Sequence, residues 1–384
     1  MLKETYKKHN SFFSFKGKNI DLEQSTISRI ISVKEKKIGF SNLSLKNKKL
    51  LDKAIKELID KNKKPKNPKF KLYENVIAEI KTLEDKDLLR YVVHRYRYEI
   101  FPQQKILDEY PPCLQIEPSS ICNFRCVFCF ETDKSFTNKK NGHMGRMSLT
   151  LFKKIIDQAE NNIEFITLAS RGEPLACKEI SEMLKYTQGK FLNLKINTNA
   201  SMLDEEKCHA ILSGGVKTIV FSADAADEKL YSKLRVNGNL KQVLKNIEKF
   251  QKIKNTHYSN NPIISRVSGV KFSKEQDFSS MKSLWNGLVD QVAFVEYNPW
   301  ENSYLRAEND IKIPCSDLWR RMFIWWDGKA NPCDVDYKSI LTVGNHSSQK
   351  LNQIWQSSSY QNLRKKHLKQ KRKSVKPCSS CTVI

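Results

Sequence analysis

The sequence predicts an α/β protein, because strand and helix patterns alternate over the middle of the chain. Between residues 114 and 296, six apolar segments rich in Ile, Val, Leu and Phe are separated by longer polar, helix-forming segments. Such strand–helix–strand repeats form parallel sheets with right-handed crossovers. The pattern fits an open doubly wound sheet as well as a partial barrel. In both folds, functional residues collect at the carboxyl ends of the strands.

The individual elements follow from local patterns along the chain. Helical patterns occur within 1–60 and over 72–101, separated by a Lys- and Pro-rich linker at 61–68. The predicted strands are 114–117, 163–168, 191–196, 216–221, 263–267 and 291–296, and the predicted helices between them are 149–160, 178–187, 204–213, 240–253 and 275–287. We therefore predict a basic, mostly helical extension at 1–110, an α/β core at 111–300 and a small C-terminal domain at 301–384.

Composition and charge narrow the class of protein. The chain has 384 residues, 39% of them hydrophobic, and lacks an apolar run long enough to span a membrane. Ten cysteines without a visible secretory signal favour metal-binding thiolates in the cytoplasm over disulfides. The net charge of +25 divides into +13 at 1–105, +8 at 361–384 and +4 between them. Because the core is nearly neutral, this distribution disfavours nucleic acid as a partner and favours an anionic small molecule or a phosphate-bearing substrate over it.

The most informative motif is the cysteine triplet Cys122, Cys126 and Cys129, with the spacing C-x3-C-x2-C. Three thiolates can bind three irons of a cubic iron–sulfur cluster and leave the fourth iron open to another ligand. Phe128 lies between the second and third cysteines, where its ring could lie beside a flat ligand. The spacing also fits a zinc site with His143 as a fourth ligand, so both metals remain open.

Polar loops follow the predicted strands at the edge where the triplet lies. The loops are Ser170–Pro174, Asn197–Ala200 and Ser222–Ala225. Each of them has ordinary turn chemistry. Because the carboxyl ends of parallel strands meet at one edge, we expect all three loops to lie beside the cysteine loop.

With these motifs, residues 113–300 resemble the radical S-adenosylmethionine (SAM) superfamily. The resemblance implies a partial (β/α)6 TIM-like barrel and a [4Fe–4S] cluster held by Cys122, Cys126 and Cys129. It also implies that SAM binds the open iron and is reductively cleaved to a 5′-deoxyadenosyl radical, which abstracts hydrogen from a substrate.

The same resemblance implies which residues contact SAM. They are Phe128 at the adenine, Gly172, Glu173 and Pro174 at the methionyl ammonium, Asn199 and Ser222 at the ribose or carboxylate, and Arg235 at the carboxylate. A zwitterionic ligand needs both an acceptor and a cationic donor, and Glu173 and Arg235 supply one each. For Arg235, an ordinary surface position remains open.

The C-terminal region carries a second cysteine pattern. Cys315 is followed by x12-Gly328-x4-Cys333, and Cys378 and Cys381 lie near the end. This resembles the SPASM extension of the superfamily, or its shorter twitch relative, and implies one auxiliary [4Fe–4S] cluster closed by four thiolates. A zinc site with the same ligands remains open. Turn residues Asp327 and Gly328 predict a hairpin that presents Cys333.

Several other residues have two interpretations each. Cys177 is a hydrogen-donor candidate or an inert buried thiol. His143 and Arg146 belong to a candidate lid over the substrate. Arg320 and Arg321 bind a phosphate or are simply solvated. Trp319, Trp325 and Trp326 are expected to pack rather than to carry electrons.

We therefore expect a radical SAM enzyme of the oxidoreductase or epimerase type, acting on a small polar substrate. A sugar or nucleotide-sugar is favoured, and flavodoxin or ferredoxin is the expected reductant. One alternative is a maturase of a ribosomally made peptide. Another is a non-catalytic zinc protein that binds RNA or an acidic partner.

Overall fold

The computed structural model describes residues 5–6, 20–60 and 68–384, so the predicted linker lies almost entirely outside the described residues. The N-terminal region contains four helices: α1 (Ile20–Glu35), α2 (Leu45–Ile59), α3 (Glu74–Lys81) and α4 (Asp85–Gln104). Helix α2 begins where Ser44 accepts the N–H of Asn47, and its Leu51, Ala54 and Ile55 are buried on one face. Within the described ranges, no helix has the length and apolar character that crossing a membrane requires.

The core alternates strands and helices as the sequence predicts. Its elements are β1 (Cys113–Ile116), β2 (Arg125–Cys126), α5 (Lys134–Thr137), α6 (Leu149–Ala159), β3 (Phe165–Leu168), α7 (Ile180–Tyr186), β4 (Asn193–Thr198), α8 (Glu205–Ser213), β5 (Thr218–Ser222), α9 (Glu228–Leu234), β6 (Arg235–Val236), α10 (Leu240–His257), β7 (Ile264–Lys271), α11 (Phe278–Asn286) and β8 (Gln291–Glu296). The C-terminal region adds β9 (Arg321–Ile324), β10 (Lys329–Asn331), β11 (Gly344–Asn345), α12 (Leu351–Trp355) and α13 (Ser358–Leu368). All six predicted core strands are confirmed, with shifts of a few residues at their ends.

The strand order decides between the two predicted sheet types. The large sheet has the order β11-β10-β9-β1-β3-β4-β5-β7-β8, and the strands from β9 to β8 pair in parallel. From β1 to β8 the order follows the chain without the reversal that defines a doubly wound sheet. No pairing joins β8 to β9 within the described part of the chain. The fold is therefore the partial barrel, and the doubly wound alternative is wrong.

Strand β9 lies in the predicted C-terminal domain yet extends the core sheet. Leu114 of β1 pairs in parallel register with Met322 of β9. Strand β9 continues into an antiparallel hairpin with β10, closed by Gly328 at φ +82°, so the predicted hairpin is confirmed. The domain boundary at 300/301 stays a prediction.

The N-terminal helices pack against the amino ends of the strands. The rings of Tyr91 in α4 and Phe165 in β3 lie 5.7 Å apart, and Asn193 at the start of β4 donates to Glu79 of α3 at 2.8 Å. The apolar core of these helices also includes Cys113 and Leu192. Because the helices cover the amino ends, the carboxyl ends remain for the functional site.

Candidate functional site

The cysteine loop follows β1 and is anchored by a short antiparallel ladder. In this ladder, Cys126 of β2 pairs with Arg235 of β6. All three cysteines of the triplet line one cavity of about 260 Å³. The backbone N–H of Phe124 donates to Cys122 Sγ at 3.4 Å, and Arg235 Nη1 donates to Cys126 Sγ at 3.8 Å. Donors aimed at sulfur stabilise thiolates and tune a cluster held by them.

The donor set of this loop fits an iron–sulfur cluster. Burial raises the pKa of the Cys122 thiol to about 12 and that of Cys129 well above its ordinary value. Since a bound metal holds cysteines as thiolates, binding would release protons here. His143 does not line the cavity, and its ring lies on Phe136 at 5.7 Å. Among the described residues, no three His, Cys, Asp or Glu side chains converge on a single-ion position.

Gly172 allows a close backbone approach between the loop after β3 and the cysteine loop. A Cβ at Gly172 would lie 2.5 Å from both Ser119 O and the carbonyl carbon of Ser120. Pro174 opens a short 3-10 turn and does not line the cavity. The glycine therefore serves the packing of the two loops.

Glu173 ties the loop after β3 to the end of β4. Its Oε1 accepts from Thr198 Oγ1 at 2.7 Å and from Leu175 N–H at 3.0 Å, while Oε2 accepts from Asn199 N–H at 2.7 Å. Burial raises the pKa of this carboxyl, and the donors oppose that shift. Glu173 thus positions Asn199 in addition to facing the cavity.

Arg235 is buried, so the surface alternative for it is wrong. Its Nε lies 2.5 Å from Asp224 Oδ2, and both side chains are almost fully enclosed. Its guanidinium carbon lies 5.8 Å from the ring centroid of Phe128. Asp224 could not be predicted as its partner, because the contact depends on how the loop after β5 folds back on β6.

Glu131 is a further cavity residue that the sequence analysis missed. It follows Cys129 by two positions, and burial raises its pKa to about 8. Neither carboxyl oxygen accepts a hydrogen bond from the described residues, although Arg125 Nη1 lies 3.4 Å from Oε2. The only feature of the sequence that points to Glu131 is its position as an acidic residue next to the cysteine motif.

The structure brings most of the predicted SAM-site residues to this cavity. Those that line it are Cys122, Cys126, Phe128, Cys129, Gly172, Glu173, Asn199, Ser222 and Arg235. Cys177 does not line it, because the 3-10 turn before it directs the thiol toward the carbonyl of Met147, 3.7 Å away. Arg146 also lies elsewhere, donating to Ala176 O at 2.6 Å. The hydrogen-donor and lid roles therefore have no geometric support.

The four C-terminal cysteines line a second cavity: Cys315, Cys333, Cys378 and Cys381. Arg372 organises the chain around it, donating to the carbonyls of Cys378 at 3.0 Å, Cys381 at 2.5 Å and Val383 at 2.7 Å. The cavity also borders His367, whose Nδ1 accepts the Cys315 N–H at 3.2 Å. A four-thiol set of this kind can close one cluster.

Arg171 connects the two regions and was also missed. Its guanidinium forms a two-pronged pair with Glu117, at 2.7 and 2.6 Å, and donates to Tyr337 O at 2.8 Å. It also lies 4.2 Å from the ring centroid of Trp325, which is fully buried. The loop after β3 is therefore attached to the C-terminal region.

Family models match two parts of the chain. A model described as the radical SAM superfamily matches residues 116–267, and a model described as an iron–sulfur cluster-binding domain, SPASM, matches residues 315–382. These ranges contain both cysteine sets described above.

Individual proteins are also similar to this chain. GTP 3′,8-cyclase of Clostridium botulinum (strain Okra / Type B1) is 26% identical over 212 residues, which are 52% of this chain and 62% of the cyclase. The chain thus matches about three-fifths of the length of this relative. Streptococcus suis SuiB bound to precursor peptide SuiA has a TM-score of 0.53 at 17% identity, covering 83% of this chain and 78% of SuiB. Native anSMEcpe with bound AdoMet has a TM-score of 0.50 at 14% identity, covering 70% of this chain and 88% of anSMEcpe. The two structures show likeness of fold alone.

Proposed function

Because the chain belongs to the radical SAM superfamily and carries a SPASM domain, we propose that it is a radical SAM oxidoreductase or epimerase with a small polar substrate. A radical SAM domain implies a [4Fe–4S] cluster and SAM, and a SPASM domain implies auxiliary iron–sulfur clusters. The thiol sets around the two cavities fit both groups. An external electron donor such as flavodoxin or ferredoxin completes the proposal.

Each part of the first cavity has a task in this proposal. Cys122, Cys126 and Cys129 hold the cluster and leave one iron to SAM. With both groups bound, the site supplies an electron that cleaves SAM and a radical that removes a hydrogen atom from an unactivated C–H bond. Arg235 holds a fixed positive charge beside Cys126, since Asp224 neutralises only one side of its guanidinium. The aromatic ring of Phe128 and the amide of Asn199 offer stacking and hydrogen bonds to SAM.

The observation that carries the substrate proposal is a third cavity, which lies in the barrel lumen. It has a volume of about 340 Å³ and shares Ala169, Ser170 and Asn197 with the first cavity. Polar side chains of the strands line its walls, and residues of α3 and α4 close its amino end. A lumen lined by polar side chains next to the SAM site favours a small polar molecule over an extended peptide.

The alternatives have less support. The likeness to SuiB is one of fold, and the described residues 20–60 and 68–104 form helices rather than the short strands we would expect of a peptide-recognition module. The two family matches give no support to a non-catalytic zinc protein. The similarity to a GTP cyclase makes GTP a reasonable substrate to test.

Anaerobic reconstitution tests the proposal. We expect about eight irons and eight sulfides per chain, the content of two cubic clusters, and 5′-deoxyadenosine on reduction with SAM. Adding deuterated sugars, nucleotide-sugars, GTP or peptides should show which substrate transfers deuterium to 5′-deoxyadenosine. Zinc at both sites and no cleavage of SAM would contradict the proposal.

A further inference from the structure

The lumen cavity has an unusual share of basic side chains. Its cationic lining consists of Arg95, Lys195, Arg266, Arg320 and Arg321, and its acidic lining of Glu79, Glu99 and Asp334. Arg320 and Arg321 are not solvated surface residues, since Arg320 is buried and both face this cavity. The question is which cations are already satisfied by protein partners.

The arginines have protein partners. Arg95 pairs with Glu99 at 2.7 Å, and Arg320 pairs with Asp317 at 2.8 Å. Arg321 donates to the hydroxyl of Tyr98 at 2.9 Å. Arg266 donates from Nε to Gln291 Oε1 at 2.8 Å, and the Glu79 carboxylate attracts its charge.

Lys195 differs from the arginines. Its Nζ has neither an ion pair nor a hydrogen bond with any residue that the structure describes, although the Glu79 carboxylate of the same cavity attracts it at longer range. Burial, with Arg266 next in effect, lowers its pKa to about 8. Near it, the buried Oδ1 of Asn197 accepts no hydrogen bond from the described residues. A half-buried ammonium without a direct ion-pair partner costs free energy, and an anionic ligand would remove that cost.

The strand register fixes where Lys195 lies in the lumen. Asn197 and Arg266 both pair with Val220 of β5, so they lie at one level. Lys195 precedes Asn197 by two residues and faces the same side, because side chains alternate along a strand. Lys195 lies four residues before Asn199, which lines the SAM site. At the rise of a strand, this places Lys195 roughly 13 Å deeper in the lumen than the SAM site. This depth suits a molecule held by one end, with a C–H bond toward the SAM site.

We propose that Lys195, with Arg266 one level above it, binds an anionic group of the substrate, either a carboxylate or a phosphate. This inference rests on the proposed function and narrows its substrate class to small anionic molecules. The ammonium supplies the charge, and the guanidinium of Arg266 supplies further N–H donors at the level above. A neutral sugar would leave Lys195 without a direct ion-pair partner.

The test is a calorimetric titration of the reconstituted, SAM-loaded holoprotein under anaerobic conditions. The probes are inorganic phosphate, succinate and the neutral polyol myo-inositol. The variants are Lys195→Met, Lys195→Arg and, as a matched control, Lys252→Met on the exposed face of α10. We expect at least one of the two anions to bind. The anion that binds more tightly identifies whether the substrate group is a phosphate or a carboxylate. Lys195→Met should weaken that binding about tenfold or more, since a hydrogen bond to a charged group is lost. Lys195→Arg should retain most of the affinity, and Lys252→Met all of it.

Three results of the titration would overturn the inference: no anion binding by the wild type, equal affinity in Lys195→Met, or myo-inositol binding as tightly as the anions. Thermal unfolding without ligand separates a binding role from a structural one. If Lys195 serves binding, Lys195→Met should unfold at the same or a higher temperature, because an unpaired charge is removed. A lower midpoint would assign the lysine to structure and contradict the proposal. Wild-type protein that cleaves SAM but binds no anion would refute only this inference, whereas protein that does not cleave SAM would refute the proposed function.

Discussion

At the scale of single residues, Gly172 determines how closely the loop after β3 approaches the cysteine loop. In Gly172→Ala, the new methyl group would lie 2.5 Å from Ser119 O and would force the two backbones apart. Because Glu173 follows directly, we expect SAM affinity to fall about tenfold or more, as when a buried charged contact is misplaced. Equilibrium dialysis with labelled SAM measures this. Gly287→Ala, where a Cβ meets nothing within 4 Å, is the control and should bind normally. Unchanged affinity in Gly172→Ala would show that the loop tolerates the shift.

Individual residues also show what the sequence could and could not predict. Cys122, Cys126 and Cys129 were predictable because their chemistry is encoded in local spacing. Asp224 was not, since its role depends on the contact with Arg235. Cys177 lies only four positions after Glu173, yet its thiol points away from the cavity. Proximity in sequence therefore did not predict which way a side chain points.

At the scale of elements, the pair Arg171–Glu117 attaches the loop after β3 to the C-terminal region. Both side chains are buried, so Arg171→Met would leave the Glu117 carboxylate without its main partner. We expect the free energy of unfolding to fall by about 3–5 kcal/mol, as when one partner of a buried pair is removed. Adding Glu117→Gln should recover part of this loss. Urea unfolding of the holoprotein measures both changes.

A matched surface pair gives the control for that experiment. Lys271 and Glu296 lie 2.8 Å apart on neighbouring strands, and both are exposed. Lys271→Met should cost no more than about 1 kcal/mol, the usual value of an exposed pair. A similar small effect in Arg171→Met would mean that the buried pair does not hold the two regions together.

The buried His94 in helix α4 should make the free energy of unfolding decrease at acidic pH. Burial lowers the pKa of His94 well below its ordinary value, so the folded protein keeps this ring neutral. Below pH 6.5 the unfolded chain takes up a proton that the folded one does not, so stability falls as pH falls. The slope is at most about 1.4 kcal/mol per pH unit. In His94→Leu, the free energy of unfolding should fall less steeply below pH 6.5, with the slope smaller by up to this value. Urea unfolding across pH measures it. His257→Leu, at an exposed position, should behave like the wild type, and an unchanged slope in His94→Leu would contradict the assignment.

Elements differ in how well the sequence predicts them. The six core strands were predictable because helical patterns separate successive apolar runs. Strand β9 was missed because it lies outside the strand–helix repeats and pairs with β1, about 200 residues earlier in the chain. The pairing is a long-range contact with no local signal. The choice of a barrel over a doubly wound sheet likewise needed the strand order.

At the scale of the whole molecule, the protein has two separate cysteine cavities. The first is expected to hold the cluster that binds SAM, and the C-terminal one an auxiliary cluster. Cys333 lines only the C-terminal cavity, so Cys333→Ala should lose the auxiliary cluster and keep the first one. We expect such protein to retain about four irons per chain and to cleave SAM without forming product. Iron analysis with a 5′-deoxyadenosine assay tests this. If Cys333→Ala keeps the first cluster but cleaves no SAM, the two sites are not independent.

The most direct test of the central claim is 5′-deoxyadenosine formation by Cys126→Ala compared with Cys208→Ala. Cys208 is a buried thiol on α8 that lines neither cysteine cavity, so it controls for loss of a cysteine as such. After anaerobic reconstitution and reduction, we expect Cys208→Ala to cleave SAM like the wild type. Cys126→Ala should form no 5′-deoxyadenosine, because the cluster loses one of its three thiolates. If Cys126→Ala cleaves SAM at the wild-type rate, the triplet does not hold the reactive cluster.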